Sequence, residues 1–273
     1  MLFILVSEGE MKMENPLQKR LESAVRAARL AGENLTVRSS LTIAHKSAND
    51  YVTDADRSNE ELIRSVLLKE WPEDGFLGEE EGEIASRSGR WIVDPIDGTT
   101  NFIYGLPLYT ISIAYEEAGE LVLGCVYCPP LKEMFTAVRG HGAYLNGRPI
   151  HPRETAVLRD ALIGMSFAHR DDAAGARMLR LIPRLRSECS DLRRLGSAAL
   201  DLCFVACGRY DAFIEPALHI YDIAAGLVIL REAGGLAESW PGDQEPVEIT
   251  CNVFAASKSI HDALRAVMLQ ADD

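Results

Sequence analysis

The sequence lacks the features that mark several classes of protein. It has no basic stripe, since 28 Lys and Arg residues stand against 41 Asp and Glu, and the formal net charge is -13. Because a chain this acidic does not attract a nucleic-acid backbone, we expect no direct nucleic-acid partner. No stretch approaches the roughly 20 apolar residues of a membrane span, and there is no repeat or long linker. The remaining class is a globular protein, which we expect to be cytoplasmic.

The cysteine spacing also lacks the pattern of a metal site or a disulfide framework. Cys125 and Cys128 have CxxC spacing, but no second pair completes a zinc site. Cys203 and Cys207 lie four residues apart on a predicted helix. We therefore predict free, buried thiols for all six cysteines and no disulfide framework.

A secretory signal is also missing from the first residues, MLFILVSEGEMKMENP. The apolar run at 2–6 is too short for the central region of a signal peptide, and no basic residue precedes it. Met11 and Met13 are alternative starts, and we expect the first ten residues to form a disordered tail.

Hydrophobic periodicity predicts both helices and strands in the first half. A helix is expected over 16–31, ended by Gly32. Ser58 and Glu61 have the spacing of a capping box for a helix that runs to about residue 70. Strands are predicted at 76–80, 91–93, 109–115, 121–127 and 133–138, and turn residues make the last three antiparallel.

The pattern changes near residue 155. Strands are predicted at 159–167, 210–215 and 252–256, and helices at 173–186, 197–207, 222–233 and 258–269. The preceding stretch RGHGAYLNGRPI is glycine-rich and predicts a loop. We expect two subdomains, 1–155 and 156–273, with the functional site between them.

The most informative stretch is WIVDPIDGTTNF, at residues 91–102. A buried strand delivers Asp94, and Pro95 fixes a turn that brings Asp97 back toward the same point. Two close carboxylates repel each other unless a cation lies between them, and such oxygen ligands suit Mg²⁺ or Mn²⁺. The carbonyl of Ile96 can face the same ion. An Asx-type turn with Asp97 as a helix cap is the alternative.

The residues after Asp97 favour phosphate chemistry. Gly98 and Thr99 offer backbone N–H groups to an anion at the place where the chain can enter a helix. A metal beside such an anion site is typical of phosphate chemistry.

Other acidic residues give weaker signals of the same kind. Glu79 and Glu80 end a predicted strand, Asp222 opens a helix, and Asp54 and Asp56 lie just before another. Each by itself is typical of a solvated loop or a helix cap. Together with the aspartate pair they favour a metal site built from carboxylates.

Several of these motifs together resemble those of a known family. WIVDPIDGTTNF, YDIAAGLVILREAGG and the upstream GEE look like the motifs of the inositol monophosphatase family, and the resemblance covers residues 16–270. It implies a layered α/β/α/β/α sandwich of the α/β class and an enzyme that is commonly a homodimer. It also implies a Li⁺-sensitive phosphomonoesterase with two or three Mg²⁺ ions, or Mn²⁺, in which metal-activated water attacks a small phosphate ester.

The resemblance also implies residue roles. The metal ligands would be Glu79, Asp94, the Ile96 carbonyl, Asp97 and Asp222. The catalytic group would be Asp56, Thr99 and Glu79. The phosphate would lie on Gly98, Thr99 and Thr100, and the alcohol side would be lined by Gly196, Ser197, Ala198 and Glu215.

Several positions depart from the family pattern or leave its specificity open. Tyr221 replaces the usual tryptophan, and Pro216 follows Glu215 at the alcohol side. Lys46 is a candidate active-site lysine, with a surface lysine as the alternative. The pair at 193–194, two arginines, is a candidate contact for a second phosphate or for a dimer partner.

The substrate therefore has alternatives. The enzyme alternatives to an inositol- or sugar-phosphate monoesterase are fructose-1,6-bisphosphatase, 3′-phosphoadenosine-5′-phosphate phosphatase and histidinol-phosphatase. A hypothesis of another class is a regulatory protein that binds the transcription machinery.

Overall fold

The structure is a computed structural model that describes residues 16–36, 43–47, 50–86, 88–167, 172–240 and 250–270. The helices are α1 Pro16–Thr36, α2 Asp54–Glu70, α3 Thr99–Ile103, α4 Asp172–Glu188, α5 Ala198–Ala206, α6 Ile220–Ala233 and α7 His261–Leu269. No helix within these ranges has the length and apolar character that a membrane span needs.

The strands form a hairpin and two larger sheets. They are β1 Ile43–Ser47, β2 Asp50–Thr53, β3 Gly75–Gly78, β4 Glu83–Ile84, β5 Arg90–Asp97, β6 Thr110–Glu117, β7 Glu120–Cys128, β8 Glu133–Val138, β9 Ala143–Leu145, β10 Arg148–Pro149, β11 Leu162–Met165, β12 Asp191–Arg193, β13 Ala212–His219, β14 Leu236–Ser239 and β15 Thr250–Ala256. The hairpin pairs β1 with β2, the eight-stranded sheet has the order β10-β9-β8-β7-β6-β5-β3-β4, and the five-stranded sheet has the order β12-β11-β13-β15-β14.

The layers follow from which face each strand residue buries. In β5, Trp91 and Val93 pack in the core that includes α1 and α2, whereas Ile92 packs in the core that includes α5 and α6. In β13, Phe213 joins that same α5–α6 core, and Ile214 packs with α4 and α7. Both sheets are thus covered on two faces, which explains their continuous apolar runs. The expected α/β/α/β/α sandwich is confirmed.

The two larger sheets fall on either side of residue 155 in the sequence, the first within 75–149 and the second within 162–256. Helices α5 and α6 form the layer between them. The division into subdomains 1–155 and 156–273 stays a prediction.

Helix α1 does not end where the sequence predicts. It continues through Gly32 to Thr36. A Cβ at Gly32 would lie 2.7 Å from the ring of Tyr127 and 3.0 Å from Pro129. The glycine therefore permits close packing of α1 on β7 and does not stop the helix.

Helix α2 begins earlier than predicted. Its N-cap is Thr53, and Thr53 and Asp56 form the capping box assigned above to Ser58 and Glu61. Asp54 and Asp56 consequently lie in the first turn of the helix and not before it. The T-x-x-D spacing of Thr53 and Asp56 in the sequence is the local signal for this earlier start.

Strand β5 is longer than the predicted 91–93 and contains no turn at Pro95. It runs from Arg90 to Asp97, and its register against β6 shifts between Asp94 and Asp97. One extra residue there makes a bulge, where a proline without an N–H is tolerated. The bulge, and not a turn, sets the spacing of the two aspartates.

The remaining differences are local. The stretch 139–150, predicted to be a loop, contains the short strands β9 and β10. Five further strands were not predicted: β1, β2, β4, β12 and β14. Cys125, Cys128, Cys189 and Cys203 are free and buried as predicted, but Cys207 is only half-buried at the end of α5. The predicted tail at 1–10 lies outside the described residues.

Candidate active site

Asp94 lies at the centre of an acidic cluster. It is 2% exposed at the bulge of β5, and one of its oxygens, Oδ1, accepts the N–H of Ile96 at 2.9 Å. Burial raises the pKa of Asp94 well above its ordinary value, and nearby carboxylates raise it further: Glu79, Asp97, Asp222 and Asp56. The structure thus places five predicted site residues within electrostatic reach of one point.

Asp97 connects this cluster to the other half of the chain. Its Oδ2 accepts hydrogen bonds from Ser197 Oγ at 2.5 Å, Thr110 Oγ1 at 3.1 Å and the N–H of Ala199 at 2.9 Å. Its Oδ1 accepts the N–H of Ala198 at 3.1 Å. Burial raises the pKa of Asp97, and these bonds oppose that rise. Asp97 therefore caps α5 as well as belonging to the acidic cluster.

Ser197 is the N-cap residue of α5, as the sequence predicts for the start of that helix, but its side chain makes no capping bond. It donates to Asp97 instead, and Asp97 accepts the first two backbone N–H groups of the helix, which have no acceptor within the helix.

Asp56, in the first turn of α2, and Thr99, at the start of α3, form a pair. The Thr99 hydroxyl lies 3.1 Å from Asp56 Oδ1 and 3.0 Å from the carbonyl oxygen of Ile96, so it shares its proton between two acceptors. The other oxygen of Asp56 accepts the N–H of Thr53 at 2.7 Å and the Thr53 hydroxyl at 2.6 Å. Burial is the main cause that raises the pKa of Asp56. The pair is held from both sides and can accept a proton.

Glu79 and Asp222 approach the cluster from separate elements. Glu79 directly follows β3. Asp222 lies in the first turn of α6, where its Oδ2 accepts the N–H of His219 at 2.7 Å. Asp222 therefore caps its own helix, and its charge also acts on Asp94.

The donor set fits a hard divalent cation. It consists of oxygens, carries excess negative charge and includes the Ile96 carbonyl, which accepts the Thr99 hydroxyl at 3.0 Å. Asp94 Oδ2 accepts no hydrogen bond within the described ranges, and Asp97 Oδ1 accepts one. In the same ranges no three acidic, histidine or cysteine side chains already converge on a common point. Several of these oxygens also accept backbone N–H groups: Asp94 Oδ1, Asp97 Oδ1 and Asp222 Oδ2.

The residues predicted to hold the phosphate and those predicted to line the alcohol come together at Gly98 and Gly196. Gly98 has φ 95°, and a Cβ there would lie 3.1 Å from the carbonyl oxygen of Gly196. Only glycine combines this φ with that approach. Thr99 and Thr100 follow in the first turn of α3. The loop expected to hold phosphate thus touches the loop that precedes α5.

Two side-chain hydrogen bonds also connect these loops. The side-chain amide of Asn101 donates to the carbonyl oxygens of Leu108 at 2.6 Å and Leu195 at 2.7 Å. Glu215 lies in β13, next to a register shift, and its charge reaches α5 at Asp201. The structure therefore brings Ser197 and Ala198 directly to Asp97 and Gly196 to Gly98. Glu215 lies close enough for its charge to act on Asp201 of the same helix.

Sequence reasoning missed Thr110, Asn101 and Asp201. Thr110 and Asn101 act through contacts with residues 7 to 94 positions away, which no local pattern indicates. Asp201 is fully buried on α5, and neither carboxylate oxygen has a partner within the described part of the chain. Burial raises its pKa well above the ordinary value.

The positions that depart from the family pattern are also located. Tyr221 stacks on His219 with ring centroids 5.1 Å apart. Arg193 forms an exposed ion pair with Asp191 at 2.5 Å. Lys46 lies in β1. The placements of Tyr221 and Arg193 assign neither side chain to a ligand, and the Lys46 side chain lies outside what the structure describes, so all three roles stay predictions.

Comparisons with known proteins agree with one another. A model of the inositol monophosphatase family matches residues 16–271. An inositol-1-monophosphatase of Mesorhizobium japonicum is 40% identical over 250 residues, which is 91% of this chain and 94% of the relative. The Nus factor SuhB of Escherichia coli K12 is 37% identical over 254 residues, which is 91% of this chain and 95% of the relative.

Solved structures give the same result for the fold. The extragenic suppressor protein SuhB of Bartonella henselae is 38% identical and superposes with a TM-score of 0.86 over 90% of this chain and 97% of that chain. An inositol monophosphatase of Thermotoga maritima is 33% identical and superposes with a TM-score of 0.84 over 93% of this chain and 98% of that one.

Proposed function

The chain belongs to the inositol monophosphatase family, and on that premise we propose that it hydrolyses inositol monophosphate or a related sugar phosphate with the help of Mg²⁺. The observation that carries the proposal is the burial of Asp94 among four other carboxylates, beside the loop that begins at Gly98. A cation relieves the repulsion within that cluster, and an anion can lie on the adjacent backbone N–H groups.

We assign the ion to five oxygen-bearing residues. Glu79, Asp94, Asp97 and Asp222 supply carboxylates, and Ile96 supplies its carbonyl. Two or three Mg²⁺ ions are proposed, with Mn²⁺ as a substitute. When bound, Mg²⁺ neutralises the phosphate, lowers the pKa of bound water and stabilises the leaving oxygen.

The protein groups in this proposal hold and move a proton. Thr99 Oγ1 orients the attacking water, and Asp56 Oδ1 takes its proton, because the 3.1 Å contact between these atoms makes a direct relay. The second oxygen of Asp56 stays fixed by Thr53. Glu79 serves both as a ligand and in the activation of water.

The substrate would span the junction between the two loops. Gly98, Thr99 and Thr100 hold the phosphate, while Gly196, Ser197, Ala198 and Glu215 line the alcohol. The contact between Gly98 and Gly196 supports this assignment, since it places phosphate and alcohol sites side by side.

Phosphate release tests the proposal. The protein is incubated with Mg²⁺, with and without Li⁺, and with inositol-1-phosphate, fructose-1,6-bisphosphate, 3′-phosphoadenosine-5′-phosphate or histidinol phosphate. We expect the highest kcat/KM for inositol-1-phosphate, inhibited by Li⁺. A preference for a bisphosphate would reassign the substrate, and the absence of turnover with every ester would contradict the phosphatase assignment.

A second role in the transcription machinery is supported by the relatives that carry the name Nus factor, which match this chain at 36–42% identity. The variant Asp94→Asn separates the two roles, because it removes a buried ligand and leaves the exposed surface unchanged. Retained binding to transcription proteins with lost phosphatase activity would establish two independent functions. Wild-type protein that binds none of them would remove this candidate.

We also infer a homodimer that works in the cytoplasm. Light scattering after size exclusion should give about twice the chain mass of 30.0 kDa. A mass of one chain at micromolar concentration would contradict the dimer.

A further inference from the structure

Glu60 is a buried acidic residue that is not one of the proposed metal ligands. It lies on α2 and is 0% exposed. Its Oε2 accepts the N–H of Glu80 at 2.8 Å, and its Oε1 accepts the N–H of Glu81 at 2.8 Å. Both bonds are charge-assisted, and both end on the two residues that directly follow Glu79.

Gly78 is shaped to the same contact. It is the last residue of β3 and precedes Glu79. A Cβ at this position would overlap the carboxylate of Glu60, so only glycine leaves room for that group. The loop closes on itself through a hydrogen bond from the N–H of Gly78 to the carbonyl oxygen of Gly82, at 3.2 Å. The Glu60 carboxylate therefore lies inside a tight loop that carries Glu79.

We propose that Glu60 is a positioning residue, which fixes the backbone of the 78–82 loop so that the Glu79 carboxylate faces Asp94. This inference rests on the proposed function, because it concerns a ligand of the proposed ion. Outer groups that orient a ligand typically change metal affinity by about 10- to 100-fold when they are removed.

The loop offers a matched control. Arg64, also on α2, forms an ion pair with the Glu81 side chain at the outside of the loop, where the two side chains are 25% and 42% exposed. The variant Glu81→Gln removes this outer tie and keeps the backbone N–H that Glu60 holds. Exposed ion pairs contribute little, so this variant should bind metal as the wild type does.

The main variant is Glu60→Gln in the full chain. Glutamine keeps the shape, but its amide presents a donor to one of the two backbone N–H groups. Calorimetric titration with Mn²⁺ alone should give a dissociation constant about 10- to 100-fold higher than that of the wild type. Phosphatase kcat should recover at high Mg²⁺, whereas KM for the ester at saturating Mg²⁺ should change little.

The outcomes separate this inference from the proposed function. Wild-type protein that binds no Mn²⁺ would overturn both. Wild-type binding together with equal binding by a folded Glu60→Gln would overturn the positioning role alone. If Glu60→Gln does not fold, Gly78→Ala provides the second route, since its Cβ displaces the same carboxylate; unchanged Mn²⁺ affinity in that variant would equally overturn the inference.

Discussion

Two buried aspartates of the eight-stranded sheet differ in what neutralises them. Asp74, 4% exposed, precedes β3, and Asp94, 2% exposed, lies near the end of the parallel strand β5. Asp74 accepts two hydrogen bonds from Arg20, at 3.1 and 3.0 Å, and one from the Tyr115 hydroxyl at 2.9 Å. Asp94 receives one backbone N–H and faces further carboxylates.

The difference shows how one fold treats the same residue type for two purposes. Arg20 also lies over the rings of Trp71 and Tyr115, so the charge of Asp74 is compensated within the protein. In the proposed function, a bound cation compensates the charge of Asp94. Groups with strongly shifted pKa values and no protein counter-charge are typical of functional sites.

The largest stability effect should follow from removing the compensation at Asp74. Arg20→Met leaves a buried carboxylate without its cation, which typically costs about 3–5 kcal/mol of unfolding free energy. Urea unfolding measures this loss. The control is Arg26→Met on the same helix, whose pair with Glu70 has 48% and 40% exposed side chains and should contribute at most about 1 kcal/mol. Equal losses in the two variants would contradict the comparison.

At Asp94 the expected sign reverses. Asp94→Asn removes a charge that burial and neighbouring acids disfavour, so the metal-free variant should be about 0.5–2 kcal/mol more stable than the wild type. Its phosphatase activity should fall by more than about 100-fold, since loss of a direct ligand should exceed the loss of an outer one. Unfolding and phosphate release are measured together with Asp262→Asn, an exposed control on α7. A destabilised Asp94→Asn in metal-free buffer would break the account.

Asp201 extends the comparison, because neither of its carboxylate oxygens has a hydrogen-bond partner within the described residues and Arg194 only partly opposes the rise in its pKa. Its pKa is raised in the folded state, so its contribution to stability is fully present below the unfolded pKa, about 4, and is lost as pH rises toward the folded value. Asp201→Asn should therefore stabilise the protein at pH 7 by about 0.5–2 kcal/mol and leave it unchanged at pH 4. Thermal unfolding at both pH values measures this. A gain of the same size at pH 4 would show another cause.

Much of the acidic site could be predicted from local sequence, whereas the long-range hydrogen bonds that hold its side chains in place could not. Three features have short-range signals and are present in the structure: the apolar run before Asp94, the helix entry at Gly98 and Thr99, and the antiparallel strands after residue 109. The turn predicted at Pro95 is absent. The bonds from Asp97 to α5 join residues about 100 positions apart.

The same limit explains Gly32. Glycine normally marks a helix end, but here its packing partner Tyr127 lies on a distant strand. Tertiary contact therefore overrides the local signal, and only the folded structure shows which meaning the glycine has.

The measurement that tests the central claim most directly is thermal unfolding with and without Mg²⁺, at matched ionic strength, for the wild type and Asp94→Asn. If the acidic cluster is a cation site, Mg²⁺ at 100 times its dissociation constant should stabilise the wild type by about 2.7 kcal/mol. Asp94→Asn should begin at a higher midpoint and respond much less. A wild-type midpoint that Mg²⁺ does not move, or an equal rise in both proteins, would contradict the account.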